Sequence, residues 1–421
     1  MELRKLYSKN NQDKDMRFSQ FLREDALNLA LPTDVRSAIV DMGGKIYQVG
    51  GAVRDEMLGK VSKDLDLLVV GVELNDLARV LTRFGKTNLV GKAFGIIKFV
   101  PDGATEEIDI SIPRIDSKST GKGHKDFEVK LGKGITLQQD QLRRDFWMNA
   151  IAKDIETGEI HDIDKKGQTD IENQQIRVIG SQAFKEDPLR MLRAVQFAAR
   201  FGFTIESETM KQIKKNVRLI NTVSAERFQE EFRKMFEKGT PSIGVDLLKE
   251  TGILKKLFPR AKALFPVEYD KLDKKAFPAF LAVLLKGHKS IDIQKGLKLS
   301  NEDTNAVSDV LKYMAMRDVD SDVGLVTFIK YSTPKGVENV NYVLKAQRKV
   351  DIDYRLNSMR RVGKPTSMKE LAISGRDLQK IGLRGKMIGD TLYELLIHAI
   401  ETGKNDKDYL LSRAKGKYGK S

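Results

Sequence analysis

The chain has 421 residues, no cysteine and a formal charge of +15 at pH 7. This length predicts two to four structural units rather than one core, and the lack of cysteine excludes disulfide bonds and thiolate metal sites. No apolar run of about 20 residues occurs, so no membrane span is expected, and the polar residues 1–20 do not look like a signal peptide. We expect a cytoplasmic protein whose basic charge suits a phosphate-rich partner.

The residues from about 45 to 180 mix strand and helix patterns, which predicts an α/β domain that follows an N-terminal arm over 1–20. Short apolar runs bounded by turn residues predict strands at 46–49, 64–70, 95–100, 107–112 and 149–154. The helical spacing of apolar residues predicts helices at 32–42, 53–58 and 74–84.

Two glycines, Gly50 and Gly51, follow the first predicted strand and precede the predicted helix 53–58. Glycine lets backbone N–H groups come close to phosphates, and a helix N-terminus favours negative charge. Arg54 can add a charge-assisted hydrogen bond to the same phosphates. A glycine pair is also an ordinary turn, so by itself it indicates little.

Two aspartates, Asp64 and Asp66, are two positions apart on the predicted strand 64–70, so their side chains project from the same face. Adjacent carboxylates repel each other unless a cation lies between them, and oxygen ligands suit Mg²⁺. An Asp-x-Asp pair is also common surface polarity at a strand edge. Together with the glycine turn, however, it predicts a metal-dependent site for a nucleoside triphosphate.

After residue 181 the pattern becomes helical, with helices predicted at 188–201, 224–237 and 245–254. Prolines predict breaks near Pro259, Pro278, Pro334 and Pro365. The segment 409–421 is basic and has no acidic residue, a composition typical of a disordered arm. The predicted fold class is therefore an α/β head followed by an elongated all-α remainder.

Further motifs make the chain resemble a known family. Besides the glycine turn and the aspartate strand, they occupy residues 89–97, 107–116, 143–150, 186–198, 224–236 and, more weakly, 373–398. Together they resemble the class II tRNA nucleotidyltransferase and bacterial poly(A) polymerase family, part of the polymerase-β-like nucleotidyltransferases. The resemblance implies a head with a mixed sheet over 1–180, a helical neck that recognises the base over 181–240, a helical body over 241–365 and a helical, RNA-binding tail over 366–421.

The resemblance also implies roles for residues of the head. Asp109 falls where the family has a third acidic residue, although a strand aspartate can also simply face solvent. Arg144 and Asp145 fall where the family contacts phosphates and ribose, and the alternative for them is an exposed basic turn. Trp147 stands where the family usually has threonine, which affects the local packing.

The resemblance implies that Asp187 and Arg190 read the incoming base. A carboxylate accepts from an amino group and a guanidinium donates to the neighbouring ring acceptor, a pattern that cytosine and adenine share and that uracil and guanine lack. Asp187 before Pro188 is equally an ordinary helix N-cap, and both roles can hold together. Arg193 continues the basic face, and Gln196 replaces a common arginine, which would weaken one phosphate contact.

The expected function is the addition of CMP and AMP to the 3′ end of tRNA from CTP and ATP with release of pyrophosphate, by a two-metal phosphoryl transfer in which Asp64 and Asp66 hold the Mg²⁺ ions. A poly(A) polymerase, or an enzyme that adds only CC or only A, shares the same motifs. The glycine- and lysine-rich segment 117–125 is similar to a family loop linked to the switch from C to A, which favours complete addition. A catalytically idle RNA-binding protein is the alternative from another class, and the paired aspartates argue against it. The sequence does not indicate an oligomeric state.

Overall fold

The chain divides into two compact units, of which the computed structural model describes residues 31–60, 65–90, 95–116, 129–261 and 268–418. The first unit comprises Met1–Arg190 and Phe203–Asn216, and the second comprises Met191–Gly202 and Val217–Ser421. The arm predicted over 1–20 and the segment 117–125 lie outside the described residues.

The first unit is built around a mixed sheet. Its strands in chain order are β1 (Lys45–Val49), β2 (Asp66–Val70), β3 (Gly85–Val90), β4 (Ile96–Pro101), β5 (Ile108–Ser111), β6 (Arg114–Asp116), β7 (Val129–Leu131), β8 (Ala152–Asp154), β9 (Ile160–His161), β10 (Gln175–Ile176) and β11 (Thr204–Ile205). Seven of them form the sheet in the order β3-β4-β5-β2-β1-β8-β9, in which β2 and β5 are parallel and the other neighbours are antiparallel.

The first unit also contains helices, some of which pack against the sheet. They are Thr33–Asp41, Gly51–Met57, Leu74–Leu81, Leu137–Leu142, Lys166–Glu172, Ala183–Glu186, Ser207–Asn216 and the start of Leu189–Phe201, which continues into the second unit.

The core of the first unit explains the apolar run in its central strand. Leu67, Leu68 and Val69 are all buried, because a strand covered on both faces needs apolar side chains on both. Leu67 and Val69 pack in the cluster that holds Ile39 and Leu77 of the covering helices, whereas Leu68 belongs to a second cluster. The core thereby holds the start of β2 in a fixed position.

The second unit is helical over the residues described. After the end of Leu189–Phe201 its helices are Ala225–Lys238, Pro241–Glu250, Ile253–Leu257, Phe277–Leu284, Ser290–Leu297, Asn301–Ala315, Asp322–Lys330, Pro334–Ala346, Ile352–Arg361, Gly375–Lys380, Lys386–Thr402 and Lys407–Tyr418. The predicted fold class, a mixed-sheet head followed by a helical remainder, is confirmed. In the described parts of the chain, no helix is both long enough and apolar enough to cross a membrane.

Several predicted boundaries in the head were wrong. The helix predicted over 74–84 ends at Leu81, and β3 follows at once from Gly85. Exposed and partly buried residues alternate along β3, which lies at the edge of the sheet. A strand of this kind contains polar residues, so a search for apolar runs misses it. The strand predicted over 149–154 begins only at Ala152, because Trp147–Asn149 forms a 3₁₀ turn.

The helix boundaries of the second unit confirm the predicted breaks at prolines and correct two other predictions. The predicted breaks near Pro278 and Pro334 are confirmed, because a new helix begins at Phe277 and at Pro334. Proline suits the first turn of a helix, where its missing N–H would have no partner within the helix. The helix predicted over 245–254 is two helices separated at Gly252, whose φ is +79°. The basic segment after residue 409 lies within the helix Lys407–Tyr418 up to residue 418 and is not an arm there.

Candidate active site

Four strand ends meet at one end of the sheet. β1 and β2 are antiparallel with Gln48 opposite Leu67, so the end of β1 lies beside the start of β2. β5 is parallel to β2 and begins at the same end, and Val49 pairs with Ala152 at the start of β8. The glycine turn after β1, the aspartates at the starts of β2 and β5, and the turn before β8 therefore lie at the same end of the sheet.

A row of charged residues crosses β2, β5 and β4 at this end. Asp66 is the register partner of Asp109 on β5, and Asp109 is in turn paired with Lys98 on β4. Register partners project from the same face of a sheet, so these three side chains lie side by side and form what we call the carboxylate row. Asp66 is exposed and the Asp109 side chain is 46% exposed. Asp64 lies outside the described residues, so its place beside Asp66 stays a prediction.

Lys98 is the member of the carboxylate row that sequence reasoning missed. Its Nζ lies 3.3 Å from Asp109 Oδ1 and also donates to Glu107. Hydrogen bonds to Glu107 and to Asp109 raise the pKa of the Lys98 ammonium above its ordinary value, so this lysine is charged at neutral pH. No local spacing indicated it, because the pairing of β4 with β5 is what brings Lys98 to Asp109.

The glycine turn leaves no room for larger residues. Gly50 precedes the helix Gly51–Met57 with φ +70° and ψ −130°, a conformation that residues with a Cβ rarely adopt. A Cβ at Gly50 would lie 3.0 Å from Arg144 Nη1, and one at Gly51 would lie 3.3 Å from Arg54 Nη2. The missing side chains let two guanidinium groups approach the backbone of the turn closely.

Arg54 itself is buried, with 3% of its surface exposed. Its Nε and Nη2 donate to Asp55 Oδ1 at 2.9 and 2.7 Å, and its Nη1 donates to the side-chain oxygen of Asn149. These bonds fix the helix Gly51–Met57 to the turn before β8. A contact between Arg54 and a phosphate stays a prediction, and the observed bonds favour a positioning role.

Asp145 joins the same network through Asn149. Asp145 is 9% exposed, and its Oδ1 accepts from the Phe146 backbone N–H at 2.8 Å and from Asn149 Nδ2 at 3.0 Å. Asn149 therefore connects Arg54 to Asp145 and holds both side chains in place. Sequence reasoning missed Asn149, because a buried amide that links two charged groups leaves no spacing pattern.

Asp140 is fully buried and pairs with two arginines. Its helix begins at a capping box formed by Thr136 and Gln139. The Asp140 carboxylate lies 2.6 Å from Arg143 Nη2 and 3.1 Å from Arg144 Nη2, so it holds Arg144 beside the glycine turn. An aspartate three and four positions before an arginine pair on a helix is a readable signal, and sequence reasoning missed it.

Trp147, three residues after Arg144, is buried. It is 9% exposed, packs with Ala150 and Ile179, and has Lys166 Nζ 4.7 Å from its ring centre. The departure from the family pattern at this position is therefore a change of internal packing.

Asp187 and Arg190 lie at the start of the helix Leu189–Phe201. The Leu189 backbone N–H donates to Asp187 Oδ1 at 3.1 Å, as the N-cap interpretation expects. Arg190 Nη2 donates to the Arg143 carbonyl oxygen at 2.7 Å. This bond connects the start of the helix to Arg143 and Arg144, which we call the arginine segment. The contact of either side chain with a base stays a prediction.

Arg193 and Gln196 belong to the second unit. The Arg193 guanidinium lies 5.1 Å from the Phe197 ring centre and 3.6 Å from the Glu231 carboxylate. Gln196 is 2% exposed, and its Nε2 is buried without a hydrogen-bond partner among the described residues. Gln196 is therefore not placed to contact a phosphate at the surface of this unit.

Two family models match the chain. One describes the poly A polymerase head domain and matches residues 46–177, and the other describes a probable RNA and SrmB-binding site of polymerase A and matches residues 202–265. The first match spans β1 to β10 and includes all the strand ends that meet at the candidate site.

Curated relatives agree with these matches. The chain is 36% identical over 299 residues to the multifunctional CCA protein of Shewanella denitrificans, which covers 69% of this chain and 65% of that protein. It is 36% identical over 227 residues to the CCA-adding enzyme of Pseudomonas entomophila, which covers 52% of this chain and 57% of that enzyme. The chain thus spans between about half and about two thirds of the length of the curated relatives it matches.

Solved structures with a similar fold include two CCA-adding enzymes. The enzyme of Bacillus stearothermophilus in complex with CTP has a TM-score of 0.70 and 24% identity, over 91% of this chain and 97% of that chain. The Thermotoga maritima enzyme complexed with tRNA has a TM-score of 0.66 and 22% identity, over 92% and 93%. At these identities the likeness concerns the fold.

The mixed sheet and the glycine turn lie in the part of the chain that matches the poly A polymerase head domain. The chain belongs to the class II tRNA nucleotidyltransferase and poly(A) polymerase family, the family that its motifs resemble.

Proposed function

We propose that the protein adds CMP and AMP to the 3′ end of tRNA from CTP and ATP and releases pyrophosphate. The observation that carries the proposal is the meeting of the glycine turn with Asp66 and Asp109 at one end of the sheet. The names of the curated relatives, multifunctional CCA protein and CCA-adding enzyme, support this substrate choice.

The carboxylate row fits a divalent cation. Asp66 and Asp109 offer oxygen donors on one face of adjacent strands, as Mg²⁺ prefers. The described residues contain no group of three metal-ligating side chains, so Asp64 is needed to complete the proposed set. Held by these three residues, Mg²⁺ would lower the pKa of the RNA 3′-hydroxyl and offset charge on the departing pyrophosphate.

The glycine turn and the arginine segment hold the nucleotide in this proposal. Gly50 and Gly51 admit the triphosphate to the backbone of the turn, and Arg144 beside them donates to its oxygens. Asp145 accepts from the ribose hydroxyls. Arg54 keeps the helix after the turn fixed, so the donors need no rearrangement when the nucleotide binds.

Asp187 and Arg190 select the base in this proposal. Asp187 accepts from the amino group of cytosine or adenine, and Arg190 donates to the ring acceptor beside it. The bond from Arg190 to the Arg143 carbonyl keeps the guanidinium in one orientation. Uracil and guanine present the opposite pattern and would leave these groups unpaired.

The remaining segments bind RNA in this proposal. In this division the head (1–180) carries the chemistry, the neck (181–240) contains the base-selecting Asp187 and Arg190, and the body (241–365) and the tail (366–421) hold the tRNA backbone. A contact of Arg193 with the nucleotide stays a prediction. The family match to a probable RNA-binding site over 202–265 supports this division. A cytoplasmic location stays a prediction.

The deciding experiment is incubation of tRNA that lacks its 3′ end with CTP and ATP, followed by sequencing of the product. Addition of CCA is the expected result. Products that end in CC, in a single A or in a long A tract would identify the partial enzymes or the poly(A) polymerase. RNA binding without any extension or pyrophosphate release would identify the idle binding protein.

A further inference from the structure

Lys98 brings a fixed positive charge to a surface otherwise formed by carboxylates. Its neighbours are Asp109, at 3.3 Å, and Glu107, which accepts from the same Nζ. Asp66 follows in register on the far side of Asp109. A lysine is therefore built into the same row that the proposed function assigns to a divalent cation.

The stability gained from its ion pairs does not by itself explain the position of Lys98. The Lys98 side chain is 34% exposed and its partners are 44% and 46% exposed, and ion pairs this open contribute little to stability. Lys153 makes a similar pair with Glu56 at 2.9 Å elsewhere on the sheet, with exposures of 30% and 27%. Of these two lysines, Lys98 is the one that belongs to the carboxylate row.

We propose that Lys98 is a positioning residue of the active site, which fixes the Asp109 carboxylate and limits how strongly the row attracts a divalent cation. The inference rests on the metal-dependent function proposed above. The ammonium holds Asp109 toward β4, so Asp109 keeps one orientation before any cation binds. It also offsets one negative charge of the row. The affinity for the cation is thereby lowered, so that a bound cation can still dissociate.

The consequence is measurable without nucleotide or RNA. Replacing Lys98 by methionine keeps a side chain of similar length and removes the charge, so the row becomes more negative by one unit. A divalent cation near Asp66 then loses the repulsion of the ammonium. We expect Mn²⁺ to bind roughly three- to tenfold more tightly to the Lys98→Met variant than to the wild type.

The experiment is a titration of the full-length, nucleotide-free protein with Mn²⁺, in which electron paramagnetic resonance measures the free ion. Lys98→Arg keeps the charge and should bind Mn²⁺ like the wild type. Lys153→Met removes the same charge from the same sheet away from the row, and it should also bind like the wild type. Asp66→Asn identifies which part of the binding belongs to the row.

Equal Mn²⁺ affinity in Lys98→Met and Lys153→Met would overturn the role of Lys98, and so would weaker binding in Lys98→Met. The proposed function survives either of these results, provided that the wild type binds Mn²⁺ and Asp66→Asn does not. If the wild type has no binding that Asp66→Asn removes, the metal site of the proposed function fails and the role of Lys98 fails with it.

Discussion

The carboxylate row and the arginine network lie at the same end of one sheet, but they differ in burial. The arginine network is the set of paired side chains Arg54, Asp55, Asp140, Arg143, Arg144, Asp145 and Asn149. In the row, Asp66 is exposed and Asp109 is 46% exposed. In the network, Asp140 is fully buried and Arg54 is 3% exposed. The arginine network is satisfied by internal hydrogen bonds, whereas the row leaves carboxylate surface in solvent.

This difference indicates which part of the site depends on a ligand. Buried charges must be paired, so the arginine network forms as the protein folds and fixes the donors around the glycine turn. Exposed carboxylates remain hydrated and can exchange water for a cation. A mutation in the row should therefore change activity more than stability, and a mutation in the network should change both.

The largest effect is expected in the row. Asp66→Asn should lower kcat by roughly a thousandfold, because it removes a charge that holds the cation. The melting temperature and the affinity for tRNA should stay near their wild-type values, since Asp66 is exposed. Asp64→Asn and Asp109→Asn should also reduce turnover severely. Wild-type turnover in Asp66→Asn would contradict the metal site.

A large loss of stability is expected in the arginine network. Asp140→Asn leaves Arg143 and Arg144 without their buried counter-charge, so the free energy of unfolding in urea should fall by about 3 to 5 kcal/mol. Asp76→Asn is a matched control, because its pair with Arg79 is exposed on a helix surface and should contribute less than about 1 kcal/mol. Equal stability in the two variants would show that the buried pairing is not required.

The two roles considered for Asp187, base selection and helix capping, can be measured separately. Asp187→Ala should cost about 1 kcal/mol of stability through the lost cap. If Asp187 and Arg190 also read the base, Asp187→Ala and Arg190→Ala should relax the preference against UTP and GTP by about 1–3 kcal/mol in kcat/KM. A lower melting temperature with unchanged nucleotide preference would leave Asp187 as a cap only.

A moderate effect on RNA affinity is expected from the last helix of the chain. Arg413 and Lys415 are exposed on the helix Lys407–Tyr418. Changing both to glutamine should lower the magnitude of the slope of log K for tRNA binding against log salt concentration by roughly two. This design is preferable to deletion of 366–421, because Leu395 and Leu396 within that segment are buried. An unchanged salt slope would show that these two side chains do not contact phosphates.

A change of stability with pH is expected at Asp170, a buried carboxylate that pairs with Arg177. Burial outweighs the Arg177 guanidinium and raises the pKa of Asp170 from 3.8 to about 6. The folded protein therefore binds this proton more strongly than the unfolded chain, so the favourable contribution at low pH is lost as the pH rises through this window. Relative to wild type, Asp170→Asn should gain stability between pH 3.8 and 6 and change no further above it. A pH-independent difference in the free energy of unfolding would contradict the raised pKa.

The sequence predicted the site residues that carry a local motif better than those that depend on contacts between distant parts of the chain. Local patterns are enough to identify Gly50 and Asp66, because a glycine turn and an aspartate pair before an apolar strand each leave a short signature. Lys98 and Asn149 depend on the pairing of strands and on contacts across the core, so no local spacing reveals them. The spacing of Asp140 to the two arginines on a helix is visible in the sequence. Only the structure shows that Asp140 is buried, and its burial is what makes the two ion pairs necessary.

The helix Lys407–Tyr418 has a thermodynamic consequence for any partner that its basic residues bind. Leu410 and Ala414 are buried, and Lys417 and Tyr418 both donate to Glu394, so the segment is ordered before a partner arrives. Association through this helix avoids the entropic penalty of folding a disordered segment. Calorimetry of such binding should show a small heat-capacity change, unlike the large negative one of coupled folding.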